Sequence, residues 1–157
     1  MRFLLRLAFV SCLATPAFAE QTIGSVSTNF RWLGPNDKIV VERFDDPDIA
    51  NVACYASFAQ TGGVSGGLGL AANPSEFGLS CVSSGPVSIP ANLPQRQQVG
   101  AISASFLVKH FVLNRFVDMP NHTLIYVLIS TKIISGSPAN AVSAVVASPS
   151  APSNTAP

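Results

Sequence analysis

Charge is scarce in this chain. Asp, Glu, Lys and Arg make up 11% of its 157 residues, against roughly 25% in ordinary soluble domains. A basic excess is missing too: the formal net charge is +1. Proteins that bind nucleic acid present a basic face that displaces counterions from phosphates, and nothing here supplies one, so nucleic acid is not an expected partner. The same count argues against an electrostatic membrane anchor. Long apolar runs are absent. A helix that crosses a bilayer needs roughly 20 apolar residues, and the segment LIYVLI at 124–129 stops at Ser130, so no transmembrane segment is expected. Cysteine is rare, with three residues, and there is no C-x-x-C pair. With the surface short of charge, Ser, Thr, Asn and Gln must cover it.

What the N-terminus does contain is specific. Arg2 and Arg6 are followed by a short apolar stretch at 7–14 (LAFVSCLA), and Ala17-Phe18-Ala19 places small residues where signal peptidase reads them. A positive end, a short apolar core and an A-x-A site define a secretory signal. Residues 1–19 are therefore expected to be a signal peptide cleaved after Ala19, with the protein delivered to the periplasm. Without Arg2 and Arg6, seven basic side chains face eight acidic ones. Cys12 leaves with the leader, and Cys54 and Cys81 remain. Two cysteines in an exported domain are most simply one disulfide. Their spacing matches no zinc pattern, and no metal site is expected.

The remaining chain is one domain's length, and strand signals dominate it. KIVVERF at 38–44 follows the turn cluster LGPND at 33–37, which predicts a hairpin with residues 25–33. After the turn DDPD at 45–48, residues 49–58 alternate, with Val52, Cys54, Ala56 and Phe58 on one face. Residues 79–83 carry Cys81 on a further strand. Residues 85–100 read as a loop, because Pro90 and Pro94 bar a central strand. Strands are expected at 102–108, 111–117, 124–131 and 141–146, with DMPNH at 118–122 as a hairpin turn. Residues 147–157 hold only Ala, Ser, Pro, Asn and Thr and read as a disordered tail after a domain at 20–146. The expected fold class is mainly β: a single antiparallel sandwich or partly open barrel. It would carry at most one or two short helices, at 73–77 or near 107–115.

Two constellations stand out. Asp45, Asp46 and Asp48 form an acidic turn behind Glu42. The turn lacks the D-x-D-x-D-G order of a calcium loop, and adjacency in sequence does not set two carboxylates across a sugar. The run at 61–70 (TGGVSGGLGL) contains Gly62, Gly63, Gly66, Gly67 and Gly69. Pro74 and the lack of a βαβ context remove a dinucleotide site, and no Lys-Ser/Thr follows for a P-loop. Such backbone can line an anion nest or pass close to neighbouring chain. His110 and His122 stand near no G-x-S-x-G, and no catalytic residue is assigned. Arg115, among Phe111, Leu113 and Phe116, is expected to pair with a carboxylate or to reach solvent, with Glu42 or an aspartate of the turn as candidate partners.

These residues together resemble the CreA family of small exported bacterial proteins. The likeness rests on IGSV at 23–26, KIVVE at 38–42, FDDPD at 44–48, NV at 51–52, CY at 54–55, TGG at 61–63 and GGLGLA at 66–71. SC at 80–81, GP at 85–86, RF at 115–116, GSP at 136–138 and NA at 140–141 complete it. The Ser/Ala/Pro tail and Ala139, where the pattern expects Lys, depart from it. The resemblance implies a Gram-negative periplasmic protein and carries over no catalytic residue. The expected function is a non-enzymatic binding or envelope-accessory role, without a cofactor, toward an envelope protein or a small ligand. The expected binding surface is Asp45, Asp46 and Asp48 together with Gly62, Gly63, Gly66, Gly67 and Gly69. The alternatives are a small hydrolase using the acidic turn and a strand-addition module that takes a partner peptide on a sheet edge.

Overall fold

The computed structural model describes residues 20–63, 77–102, 111–131 and 138–148. Every element there is a strand: β1 (Glu20–Ser27), β2 (Lys38–Asp45), β3 (Val52–Gln60), β4 (Phe77–Ser83), β5 (Arg96–Ile102), β6 (Phe111–Asp118), β7 (Thr123–Ser130) and β8 (Asn140–Val146). They form two four-stranded sheets in the orders β1-β2-β3-β4 and β5-β6-β7-β8. All neighbours are antiparallel, so each sheet is a simple meander.

Period-two alternation builds the core. Val40 and Phe44 of β2 and Cys54, Ala56 and Phe58 of β3 turn inward from the first sheet. Phe111, Leu113 and Val117 of β6 and Leu124, Tyr126 and Leu128 of β7 meet them from the second. Phe111 seals one end, in contact with Phe58 and with Phe77 at ring separations of 5.6 and 4.8 Å. The sheets also approach along β4 and β8, where Cys81 N donates to Ser143 Oγ at 2.9 Å. No ladder joins these two strands; the sheets stay separate and do not close into a barrel.

Cys54 and Cys81 stand directly opposite in the β3–β4 register and form a disulfide. The expected hairpin turn at 118–122 joins β6 to β7, and the last strand starts one residue earlier than expected. Other expectations need correction. Residues 29–33 belong to a loop, because β1 ends at Ser27. Residues 96–100 lie in β5 and not in a loop. Their Arg and Gln suit an edge strand, and Val99 supplies its inward anchor. The possible helix near 107–115 is strand from Phe111 onward. Ala147 and Ser148, expected outside the β domain, are held against it: Ala147 is buried, its N–H donates to His122 O at 2.7 Å, and Ser148 N donates to Val87 O at 2.9 Å. The possible helical turn at 73–77 falls outside the described residues except for Phe77, which opens β4.

Candidate functional site: a buried arginine beneath an acidic turn

Residues 45–51 cross from β2 to β3, and Asp46 organises them. Its Oδ1 accepts from the backbone N–H of Asp48 at 2.9 Å and of Ile49 at 3.1 Å. A short Asp side chain bonding backbone just ahead of it is the Asx geometry expected of such turns. The turn closes with Asp46 N donating to Val52 O at 3.1 Å. Asn51 takes a positive φ of 66°, tolerated by Asn, and its Nδ2 holds Pro86 O at 2.8 Å. Ile49 drops from the turn into the core.

Beneath the turn lies Arg115 of β6, whose side chain is 0% exposed. Its Nη1 donates to Asp46 Oδ1 at 2.5 Å, and its Nη2 donates to Asp48 Oδ2 at 3.0 Å and to Gln97 Oε1 at 2.7 Å. Tyr126 of β7, facing Arg115 across the ladder, donates its hydroxyl to Asp46 Oδ2 at 2.7 Å. The Asp46 carboxylate is 1% exposed and has a donor on each oxygen. Burial works against the Arg115 charge, but the Asp46 and Asp48 hydrogen bonds and charges outweigh it and hold the guanidinium protonated. Burial, then the Asp46 hydrogen bond, pushes the Tyr126 phenol well above the usual tyrosine range. Glu42 is also buried, but the carboxylates on Arg115 are those of Asp46 and Asp48.

The other acidic residue of the turn faces away. Asp45 Oδ1 accepts from Arg43 Nη2 at 2.6 Å, and both side chains are solvated. Arg43 lies 6.0 Å over the ring of Tyr55, its cross-strand partner. With Asn51 and Ser84 they line a groove of about 380 Å³ on the outer face of the first sheet. Cation, carboxylate, amide, hydroxyl and aromatic face converge there, so the groove can hydrogen-bond and stack against a polar ligand. A larger groove of about 570 Å³ separates the 90–95 loop from the β6–β7 turn. Its single carboxylate, Asp118, is engaged by the N–H and Nδ2 of Asn121.

The structure does not bring the acidic turn and the described glycines together. Lys38 pairs with Gln60 and Asp45 with Ala53. Gly62 and Gly63 thus lie at the far end of the β2–β3 hairpin, roughly 23 Å away at ~3.3 Å per residue. There they serve close approach. A Cβ on Gly62 would stand 1.9 Å from Pro35 O, and Gly63 has a φ of +73°. Gly66, Gly67 and Gly69 lie outside the described residues, as does His110. Among the described residues no group of three His, Cys, Asp or Glu side chains is placed to hold a metal. The sequence offered Asp45, Asp46 and Asp48 as candidate binding residues, and Glu42 or an aspartate of the turn as a candidate partner for Arg115. Sequence reasoning missed Gln97, Tyr126, Arg43 and Tyr55; only the Arg43–Tyr55 strand neighbourhood left a trace in the alternation.

The chain is thus a disulfide-linked, two-sheet antiparallel β protein whose acidic turn is locked to the second sheet by a buried arginine. Its sequence places it among known proteins. The family model described as CreA protein matches residues 23–150. Protein CreA of Escherichia coli (strain K12) is 44% identical over 137 residues, covering 85% of this chain and 87% of that protein. The Protein CreA of Escherichia coli O157:H7 matches to the same extent. The chain belongs to the CreA family. No solved structure matches it.

Proposed function

We propose that the protein is an exported, non-enzymatic binding protein of the cell envelope, working in the periplasm through the outer groove of Arg43, Asp45, Asn51, Tyr55 and Ser84. The observation that carries this reading is the saturation of Asp46. A general acid or base needs a carboxylate oxygen within reach of a substrate proton. Both oxygens of Asp46 accept protein donors, and Asp48 is tied to the same arginine. A hydrolase using the acidic turn would have to work without Asp46, whereas the groove above it presents partly exposed polar and aromatic groups on a rigid floor.

The test places a photo-cross-linking amino acid at Tyr55 in living cells, with Val142 on the second sheet as a control position. The reading expects a discrete adduct at Tyr55, absent at Val142 and lost in Arg43→Ala, and a mature chain that starts at Glu20. Tyr55 adducts no different from the control, or a chain that keeps residues 1–19 in the cytosol, would refute it. Strand addition has one observation in its favour: β1 is an edge strand exposed along residues 21–27 and carries neither Lys nor Pro to blunt it. Amide protection confined to β1 on partner binding would select that mode.

A further inference from the structure

Ten large hydrophobic side chains are exposed among the described residues, and six of them fall between positions 23 and 39: Ile23, Val26, Phe30, Trp32, Leu33 and Ile39. The three in the β1–β2 loop stand out most, with Trp32 92%, Leu33 76% and Phe30 75% exposed. Val26 and Ile39 are cross-strand partners just behind the loop. Val40 next to Ile39 faces the core, so by alternation this apolar pair lies on the outward face of the sheet. Loop tip and sheet face therefore make one surface, and at these exposures its six side chains present roughly 800 Å². The largest apolar patch on a typical monomer is only about 300–600 Å².

A loop of this composition would gain by folding its apolar side chains back against the body. It is held from doing so. Arg31 grips Asp37 with two bonds, Nε to Oδ1 at 3.0 Å and Nη2 to Oδ2 at 2.8 Å. Asp37 also accepts from Gly62 N at 2.7 Å, and Asn36 Oδ1 accepts from Arg31 N at 2.9 Å. Gly63 N donates to Pro35 O at 2.7 Å. Gly34 has a φ of +87° and approaches Gly63 so closely that a Cβ on it would stand 2.9 Å from that backbone. The Gly62–Gly63 segment thus clamps the aromatic loop. Phe30 and Trp32 meet edge to face, with ring centroids 6.5 Å apart, so the tip is set before any contact is made and loses little freedom on binding. Behind it β1 is an edge strand, and every residue from Gln21 to Ser27 is exposed.

We propose that a second copy of this chain covers the surface: two β1 strands pair antiparallel about a two-fold axis, and each clamped loop packs along the other copy's β1. The area fits, since each partner of a standard interface gives ~800 Å². The geometry fits as well. A two-fold axis perpendicular to a sheet edge sets a strand antiparallel to its own copy, which is the pairing of every ladder in this fold. Charge narrows the choice to a copy of itself. Residues near such an axis meet their own kind, and like charges placed opposite repel. From Gln21 to Ser27 the strand holds no Asp, Glu, Lys or Arg, and Arg31 in the loop is neutralised by Asp37. β1 pairs regularly with β2 from Gly24 to Ser27, which puts the axis near Ser25. Val26 then lies opposite or diagonal to its counterpart, within about 8 Å, and the loop tip runs toward the N-terminal half of the other β1, where Ile23 is exposed. The inference rests on no residue of the groove at Arg43 and Tyr55.

Sedimentation equilibrium of the purified protein at micromolar concentration should give twice the chain mass. Trp32 is the only tryptophan in the chain, and its emission should move to shorter wavelength as concentration rises and the dimer forms. A substitution enters a symmetric interface twice, so Phe30→Ser should weaken association by about a hundredfold, roughly tenfold for each copy. Val26→Lys should abolish the dimer, and so should Val26→Glu, because like charges then face each other. A mixture of the two variants should restore the dimer mass. Phe30 and Val26 are both solvated in the single chain, so circular dichroism should show each variant folded. Monomer at every concentration overturns the proposal and leaves the surface to a different protein or to a bilayer. A dimer that survives Val26→Lys overturns it too, as does a Lys and Glu mixture that stays monomeric.

Discussion

Arg115→Met isolates the contribution of the buried lock. Met fills much of the arginine's volume but donates no hydrogen bond, so Asp46 remains a carboxylate at 1% exposure with its strongest donor gone. Leaving one partner of a buried ion pair uncompensated costs about 3–5 kcal/mol. Total stabilities of domains lie near 5–15 kcal/mol, so the variant should lose roughly a fifth or more of its folding free energy. At a few degrees per kcal/mol, Tm should fall by roughly 10–20 °C, read by far-ultraviolet circular dichroism at neutral pH with the disulfide intact. Adding Asp46→Asn removes the stranded charge while its carbonyl oxygen still accepts from the Asp48 and Ile49 amides. The double variant should therefore be more stable than the sum of the single losses by about 1–3 kcal/mol. An Arg115→Met protein that melts within a degree or two of the parent, or strictly additive variants, would refute the lock.

Other perturbations probe neighbouring parts. Tyr126 is shifted upward from an ordinary value of 10.0, so its contribution is complete below that pH and declines as pH rises beyond it. Alkaline melts should show this loss, and Tyr126→Phe should remove it while costing about 2 kcal/mol at neutral pH. Asp37 is held at about 2, first by the Arg31 hydrogen bonds and next by Gly62 N–H, below an ordinary 3.8. Its clamp should be fully formed above pH 3.8 and released as pH falls through about 2. Amide exchange across residues 28–37 should accelerate over that window, and Asp37→Asn should show the fast exchange at neutral pH. Reduction of Cys54–Cys81, which closes a loop of sequence separation 27, should lower stability by about 3–4 kcal/mol in the chain-entropy account. Urea melts with and without reductant measure it.

Much of the fold was legible because strand alternation and turn chemistry are local. Val52, Cys54, Ala56 and Phe58 announced an inward face, and Asp118-Met119-Pro120 announced the β6–β7 turn. Residues 96–100 were misread because prolines at 90 and 94 lie just upstream, and a polar edge strand resembles a loop when its partner is unseen. Ala147 gave no local sign of burial, because the contacts that cover it come from distant segments. The acidic turn was visible as a unit, yet its three aspartates split three ways: Asp45 outward to Arg43, Asp46 inward, and Asp48 at the rim of the lock.

Local sequence determined on its own the strand-rich body, the pairing of Cys54 with Cys81 and the membership of the CreA family, since each is carried by neighbouring residues or by composition. The tertiary structure decided which carboxylates meet Arg115, 69 and 67 residues away along the chain. It also decided that the glycines clamp an aromatic loop at the opposite end of the hairpin. Those outcomes depend on sheet register and on which faces of two separate sheets meet. A register slip of one residue would turn every side chain of a strand to its other face, and no local pattern records that choice.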